Sequence, residues 1–303
     1  MQSSEPFTGF EDFLFFGGVL RRLILIVLIL HISVLCYAYA EDTQKRIVSL
    51  APNMTEILFA LGLGDRIVGV TSYCDHPEEA KEKPKVGGMS NPSLEAVISL
   101  KPDLVVMTTD GNPMEFEERL RSLKIKTYVF EAKRIAELPR GIRDLGKALG
   151  VRERAEAFAQ VFEASLKRFG LAKREIAGSK PASQWKVIFI VWPEPLIVAG
   201  PGTVIDDALT IVGGDNIAAK SQIAYPKYSI EEVIRRSPDV IIIGRGMQDT
   251  DIEKISAGLL KRLKSVPAVK NKRVFYVSDD LYRLGPRTIR GIEEISRLVD
   301  WQR

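Results

Sequence analysis

The sequence is poor in the side chains that most often carry chemistry. It has two cysteines, Cys36 and Cys74, and two histidines, His31 and His76. Two cysteines far apart, in different kinds of segment, exclude a disulfide framework. Cys74 and His76 stand two residues apart, but a zinc site needs three or four protein ligands, mostly Cys or His. Carboxylates would have to supply the rest, so no dedicated metal site is expected. There is no Gly-x-Ser-x-Gly elbow, no P-loop and no His–Ser or His–Cys constellation beyond residues 74–76. Gly200-Pro201-Gly202 ahead of a helix could cradle an anion, but it reads more simply as a turn. A formal net charge of +4, dispersed over 303 residues, is too mild for a nucleic-acid surface. No low-complexity block is present, so folded lobes are expected and not a long disordered tail.

What the chain does have is a doubled unit. Residues 93–107 read SLEAVISLKPDLVVM and residues 229–243 read SIEEVIRRSPDVIII. Ser, Glu, Val, Ile, Pro and Asp fall in register. Each Ser can N-cap a helix, and each Glu sits in the first turn, where the helix dipole favours negative charge. Pro102 or Pro238 stops the helix. The apolar run that follows suits a strand buried on both faces of a parallel sheet. One helix–turn–strand unit in each half implies two similar α/β lobes.

Residues 1–40 read as a secretory signal. Arg21-Arg22 precede the apolar run 23–30, and Ala38-Tyr39-Ala40 sets small residues before a cleavage point. A membrane anchor is the rival reading, since residues 23–40 approach the roughly 20 residues that a span needs. His31, Ser33 and the Ala-x-Ala favour cleavage after Ala40. Leu35 and Val34 are too bulky for a lipidation motif at Cys36.

From there strands and helices alternate. Strands are expected at 46–50, 67–71, 103–107 and 126–130. Asn53 with Glu56 forms a capping box for a helix to about 61. Further helices are expected near 114–124 and 137–149. Ala155, Phe158, Phe162, Leu166, Phe169 and Ile176 make one apolar stripe of a long helix over 151–176. After a polar linker at 178–184, strands at 186–191, 239–243 and 273–277 flank a helix at 204–212, and Pro286 opens the last helix. The domains are therefore a signal peptide (1–40), an N-terminal α/β lobe (41–150), an inter-lobe helix (151–177) and a C-terminal α/β lobe (178–303). Doubly wound sheets gather ligands at the carboxyl ends of their strands. In the first lobe those ends carry Pro52-Asn53, Tyr73 and residues 108–110.

Residues 46–56 (RIVSLAPNMTE), 73–77 (YCDHP), 85–88 (KVGG), Leu94-Glu95, 100–104 (LKPDL), 199–202 (AGPG), 212–217 (VGGDNI) and 285–287 (GPR) together resemble the class III periplasmic binding proteins of ABC importers. The nearest likeness is to the vitamin B12-binding branch, and the resemblance covers essentially all of 45–300. It implies two doubly wound lobes joined by one long helix, with the ligand in the cleft between them. It also implies a periplasmic protein, a monomer and not an enzyme. Such a protein would carry a corrinoid to a permease and its ATPase in the inner membrane, with no resident cofactor. Haem or an iron-siderophore is the alternative ligand. An α/β enzyme acting on a cofactor in the cleft is the alternative of another class.

Tyr73, Trp192, Tyr225 and Tyr282 lie in loops next to strand ends, where aromatic faces suit a large planar macrocycle. Each could equally be packed within its own lobe. The resemblance makes Tyr225 the firmest ligand contact and adds Asp279 and Arg283 as polar contacts. The simpler reading of Arg283 is a salt bridge with Asp279 or Asp280. Thr108 stands where the B12-binding relative has an aromatic. Tyr73 or His76 could contact haem iron. Glu231 matches a glutamate that docks onto permease arginines. Glu115 is the expected counterpart on the first lobe, with Glu117 and Glu118 as rivals. An ordinary first-turn glutamate is the plainer account of each.

Overall fold

The computed structural model describes residues 45–176, 185–246 and 251–300. The expected signal peptide and the 178–184 linker lie outside them. The first lobe runs β1 (Ile47–Ser49), α1 (Pro52–Ala60), β2 (Ile67–Val70), α2 (Leu94–Ser99), β3 (Leu104–Thr108), α3 (Met114–Ser122) and β4 (Thr127–Phe130). Its strands are all parallel, in the order β2-β1-β3-β4. Next come α4 (Leu138–Leu149) and the long α5 (Arg152–Ile176). The second lobe holds β5 (Lys186–Pro193), β6 (Leu196–Val198), α6 (Val204–Ile211), β7 (Asp215–Asn216), α7 (Ile230–Arg236), β8 (Val240–Gly244), α8 (Ile252–Arg262), α9 (Pro267–Lys270), β9 (Val274–Val277) and α10 (Thr288–Asp300). Its sheet runs β6-β5-β8-β9, with β7 paired to β5 and only β6 antiparallel.

Both sheets are doubly wound because successive strand residues face opposite sides and both sides are apolar. Ile47, Leu104 and Val106 pack with Met54, Ile57 and Leu58 of α1. Their neighbours Val48, Val105 and Met107 pack with Val97 of α2 and with Phe116 and Leu120 of α3. In the second sheet Val187, Phe189 and Ile242 face α6 and α10, whereas Ile188, Ile190, Ile241 and Ile243 face α7 and α8.

The repeat does the same work twice. Ser93 Oγ accepts the Ala96 N–H at 3.2 Å, and Ser229 Oγ accepts the Glu232 N–H at 3.1 Å. Each helix stops before its Pro-Asp. Asp103 then accepts the N–H of Arg46 (2.7 Å) at the start of β1, and Asp239 accepts that of Lys186 (3.1 Å) at the start of β5. So each Pro-Asp ties the repeat's own strand to the central strand beside it.

Two local expectations need correction. Helix α1 has no capping box: Ala51 is its N-cap, Pro52 opens it, and no side chain caps it. Glu56 is buried and points to the other lobe, as described below. The chain between residues 246 and 273 carries α8 and α9, which the sequence reading left without structure. Asp251 caps α8 by accepting the Lys254 N–H, and Ile252 and Leu259 are its buried residues along with Ser256.

The long helix is seated by a small residue. A Cβ on Gly146 of α4 would lie 2.2 Å from the Cβ of Ala155 on α5, so the two helices touch backbone to backbone there. The core that holds Val151, Ala155 and Phe162 continues into Ile205 of α6 and Ile292 and Ile295 of α10, so one apolar body spans both lobes. Gly146→Val forces this contact apart. A loss of about 1–3 kcal/mol in unfolding free energy is expected, read as a lowered urea midpoint with an unchanged slope.

Candidate functional site

The first wall of the cleft is built on the carboxyl ends of β1, β2 and β3. In the order β2-β1-β3-β4 the strand order reverses between β1 and β3, the switch point where open α/β sheets bind ligands. Asn112 ties this place together. Its Oδ1 accepts the Thr108 N–H at 2.8 Å, and its Nδ2 donates to the carbonyls of Leu50 and Met89 at 2.9 Å each. Gly111 turns with φ +106°, and a Cβ there would lie 2.4 Å from Met89 Cε. The Tyr73 ring lies 3.8 Å from where a Cβ on Gly88 would stand. Tyr73, Met89 and Asp110 thus belong to one contiguous wall, and Tyr73 is 57% exposed. Thr108 is buried, and its hydroxyl accepts the Asp110 N–H (3.3 Å).

The second wall carries Tyr225 and Tyr282. Tyr282 packs edge-on against Phe189, donates to the Val191 carbonyl at 3.2 Å, and occupies space that any side chain at Gly244 would block. Tyr225 is 47% exposed. Desolvation nevertheless pushes its phenol above the ordinary value, and Asp110 on the facing lobe adds to the shift. Tyr282 is raised in the same way, by desolvation first and then by Tyr225 and Asp279. Tyr225 is thus within electrostatic reach of both Asp110 and Tyr282. Trp192 is half-buried against the second lobe's own core and donates its indole N–H to the Glu194 carbonyl (2.7 Å), which is local packing.

One end of the cleft is closed by charge. Glu56 of α1 takes a two-pronged bond from Arg287 of the other lobe, at 2.9 and 3.1 Å, with their side chains only 6% and 10% exposed. The same guanidinium reaches Asp279 (2.9 Å) and Asp280 (3.0 Å), and Asp280 also pairs with Arg290. Arg283 crosses the gap to Asp75 (3.0 Å), to the Tyr73 carbonyl (3.3 Å) and towards Glu56 (3.5 Å). Asn53 donates to the Leu284 carbonyl at 3.4 Å. A second tie joins the lobes elsewhere: Asp207 of α6 accepts from Arg134 and from the Ile135 N–H. The first helix of each lobe thus sends a carboxylate to the other lobe.

The sequence reading paired Arg283, if not with ligand, with Asp279 or Asp280. In the structure Arg287 takes those two carboxylates, and Arg283 crosses to the first lobe. Asp279 itself is bonded to Arg287. The sequence reading assigned Glu56 only a capping role and Arg287 no role of its own, although both stand within the segments that carry the family resemblance. Cys74 is buried between the hydroxyls of Thr55 (3.2 Å) and Thr71 (3.1 Å), and His76 is half-exposed with Nδ1 3.9 Å from Asp75. Glu231, Glu115, Glu118 and Glu95 are all exposed. Glu117 is held by Arg121 (2.6 Å) and Thr127 (3.1 Å). Among the described residues no group of three or more His, Cys, Asp or Glu could hold a metal ion.

The buried network sets an acid limit. Burial raises the Asp75 carboxyl, but the bond and charge of Arg283 outweigh it, leaving it below 3.8. Asp280 is lowered likewise: burial opposes, and Arg290 and then Arg287 prevail. For Arg287, burial works against the charged form and Glu56 and Asp279 overcome it. A depressed carboxyl contributes stability that is complete above its unfolded pKa and is lost as pH falls through the folded value. The melting temperature should therefore hold from pH 7 to about 5 and fall steeply below about pH 4. Glu56→Gln removes the charge-assisted bond across the lobes and leaves Arg287 to Asp279 and Asp280; it should cost about 1.5–3 kcal/mol at pH 7, measured by denaturant unfolding.

The sequence pattern of the periplasmic binding proteins matches residues 47–281. The chain is 30% identical over 262 residues to a vitamin B12-binding protein of Pectobacterium carotovorum subsp. carotovorum (strain PC1), covering 86% of this chain and 90% of that one. The fold is similar to the crystal structure of the periplasmic vitamin B12-binding protein BtuF of Vibrio cholerae, with a TM-score of 0.74, 28% identity, and 85% and 97% of the two chains covered. It is about as similar to the periplasmic haem-binding protein RhuT of Roseiflexus sp. RS-1 in apo form, with a TM-score of 0.70, 30% identity, and 84% and 97% covered.

Proposed function

The chain belongs to the periplasmic binding proteins, the substrate-capturing partners of ABC importers and not enzymes, and we propose that it delivers a corrinoid of the vitamin B12 kind. The observation that carries this reading is the commitment of Arg283. Haem and most siderophores present carboxylates or other anionic groups, and a cleft for them wants an available guanidinium. Here Arg283 already bonds Asp75 and the Tyr73 carbonyl, with its side chain 9% exposed. The walls offer aromatic faces at Tyr73 and Tyr225, phenolic hydroxyls and the carboxylate of Asp110. That set suits a broad, flat macrocycle rimmed by uncharged amides. Trp192 and Asp279 remain contacts in this reading only through rearrangement, since each is bonded within its own lobe.

Haem is the second reading, favoured by the half-exposed His76 next to Tyr73 and by the haem-binding relative of similar fold. Against it, Tyr225 and Tyr282 hold their protons more tightly than an ordinary phenol, which opposes a phenolate bond to ferric iron. Titration of the exported chain, expected to begin after Ala40, separates the two. Cyanocobalamin should bind more tightly than haemin, and Tyr225→Ala should weaken cyanocobalamin by about tenfold or more, the scale of losing one aromatic face. Tight haemin binding without corrinoid binding would reverse the assignment.

Docking to the importer follows the repeat. Glu231 is exposed in the first turn of α7, and its own N–H and then Ser229 hold its carboxyl below the ordinary range. Glu115 is exposed in the first turn of α3. Glu95, however, occupies Glu231's own place on the equivalent helix, and Ile98 (39% exposed) and Ile234 (41% exposed) follow each at i+3. Two matching Glu/Ile faces, one per lobe, suit a partner with two like subunits. Glu231→Lys should leave ligand affinity unchanged and cut transport in reconstituted vesicles. Glu95→Lys and Glu115→Lys, each combined with it, then identify the first-lobe contact by which one removes the remaining transport. A change in ligand affinity with Glu231→Lys would contradict the docking role.

A further inference from the structure

We propose that Asp110 determines specificity in the cleft: its carboxylate selects macrocycles rimmed by uncharged hydrogen-bond donors, such as primary amides, and repels those rimmed by carboxylates. The inference rests on the cleft being a macrocycle site and names the edge chemistry that site accepts.

Asp110 is exposed just beyond β3, at the switch point of the first sheet. Its turn is held on every side. The Asp110 N–H donates to Thr108 Oγ1 (3.3 Å), Gly111 abuts Met89, and Asn112 bonds three backbone groups, at Leu50, Met89 and Thr108. Across residues 108–113 the only charge is that of Asp110. Three other carboxylates beyond strand ends are neutralised: Asp75 by Arg283 (3.0 Å), Asp279 by Arg287 (2.9 Å) and Asp280 by Arg290. Among the described residues no cation pairs with Asp110. A charge that no protein group neutralises acts on whatever enters the cleft. Its place just beyond β3, on the wall that Tyr73 and Met89 share, sets that charge at the carboxyl ends of the strands, where such sheets bind ligands.

A carboxylate only accepts hydrogen bonds, so an amide N–H meets it favourably. A ligand carboxylate at the same edge meets like charge in a partly desolvated crevice. Like-charge repulsion of this kind is how a site rejects the wrong partner. For two charges about 6 Å apart in half-solvated surroundings the discrimination is roughly tenfold.

Matched ligand pairs test this on the whole exported chain at low salt. One pair is cyanocobalamin and its monocarboxylic derivative, in which a rim amide is hydrolysed. The other is haemin dimethyl ester and haemin. The wild-type chain should bind the uncharged member of a pair about tenfold tighter. Asp110→Asn should remove that preference and Asp110→Lys should reverse it, and raised salt should shrink it. An unchanged preference in both variants overturns the role of Asp110. If porphyrins bind and corrinoids do not, the corrinoid reading falls while the haemin pair still decides Asp110. If neither macrocycle binds, both fall.

Discussion

Glu56 and Arg287 meet across the two lobes with a tenth or less of either side chain exposed, and the rest of the cleft depends on that contact. A buried ion pair adds little net stability, since taking both charges out of water costs about as much as their attraction returns. What it does impose is geometry. Two carboxylate oxygens facing two guanidinium nitrogens admit one orientation. That orientation carries Leu284, Arg283 and Tyr282 on the second lobe to fixed places beside Asn53, Asp75 and Tyr73 on the first. The tie at Asp207 works in the opposite sense, from the second lobe's first helix to the first lobe's chain. With the continuous core along α5, these ties make the separation of the walls a built-in dimension.

The charge logic of the cleft follows from the same contact. Arg287 neutralises Glu56, Asp279 and Asp280 in part, Arg290 shares Asp280, and Arg283 turns to Asp75. The arginine that a sequence comparison offers to a ligand is thereby drawn into the frame. Tyr73 and Tyr225 keep their exposed faces, and Asp110 keeps its charge. A site of this kind reads shape and uncharged hydrogen bonds more than anionic groups.

The fold was largely legible in the sequence because its signals are local. The Ser-x-Glu and Pro-Asp of the repeat each act within a few residues, and alternation of strand and helix needs only periodicity. Residues 73 and 282 were legible as site candidates because they lie beyond strand ends, and Tyr225 chiefly because of the family resemblance. The roles of Glu56, Asp75, Arg283 and Arg287 were not, since their partners lie more than 200 residues away and the capping box was a satisfactory local reading of Glu56. Asn112 was missed for a similar reason: its three bonds reach Leu50, Met89 and the end of β3 at Thr108, which no sequence pattern joins. Helix α8 was missed even though Asp251 and the spacing of Ile252 and Leu259 announce it.

The central claim is that Arg283 belongs to the lobe-to-lobe frame and that the ligand meets aromatic and uncharged groups. A crystal structure of the exported chain soaked or grown with cyanocobalamin tests it most directly. The account predicts Arg283 still bonded to Asp75 and to the Tyr73 carbonyl, with the macrocycle lying against Tyr73 and Tyr225. An Arg283 swung away from Asp75 to bond the ligand, with the Glu56–Arg287 pair opened, would contradict it.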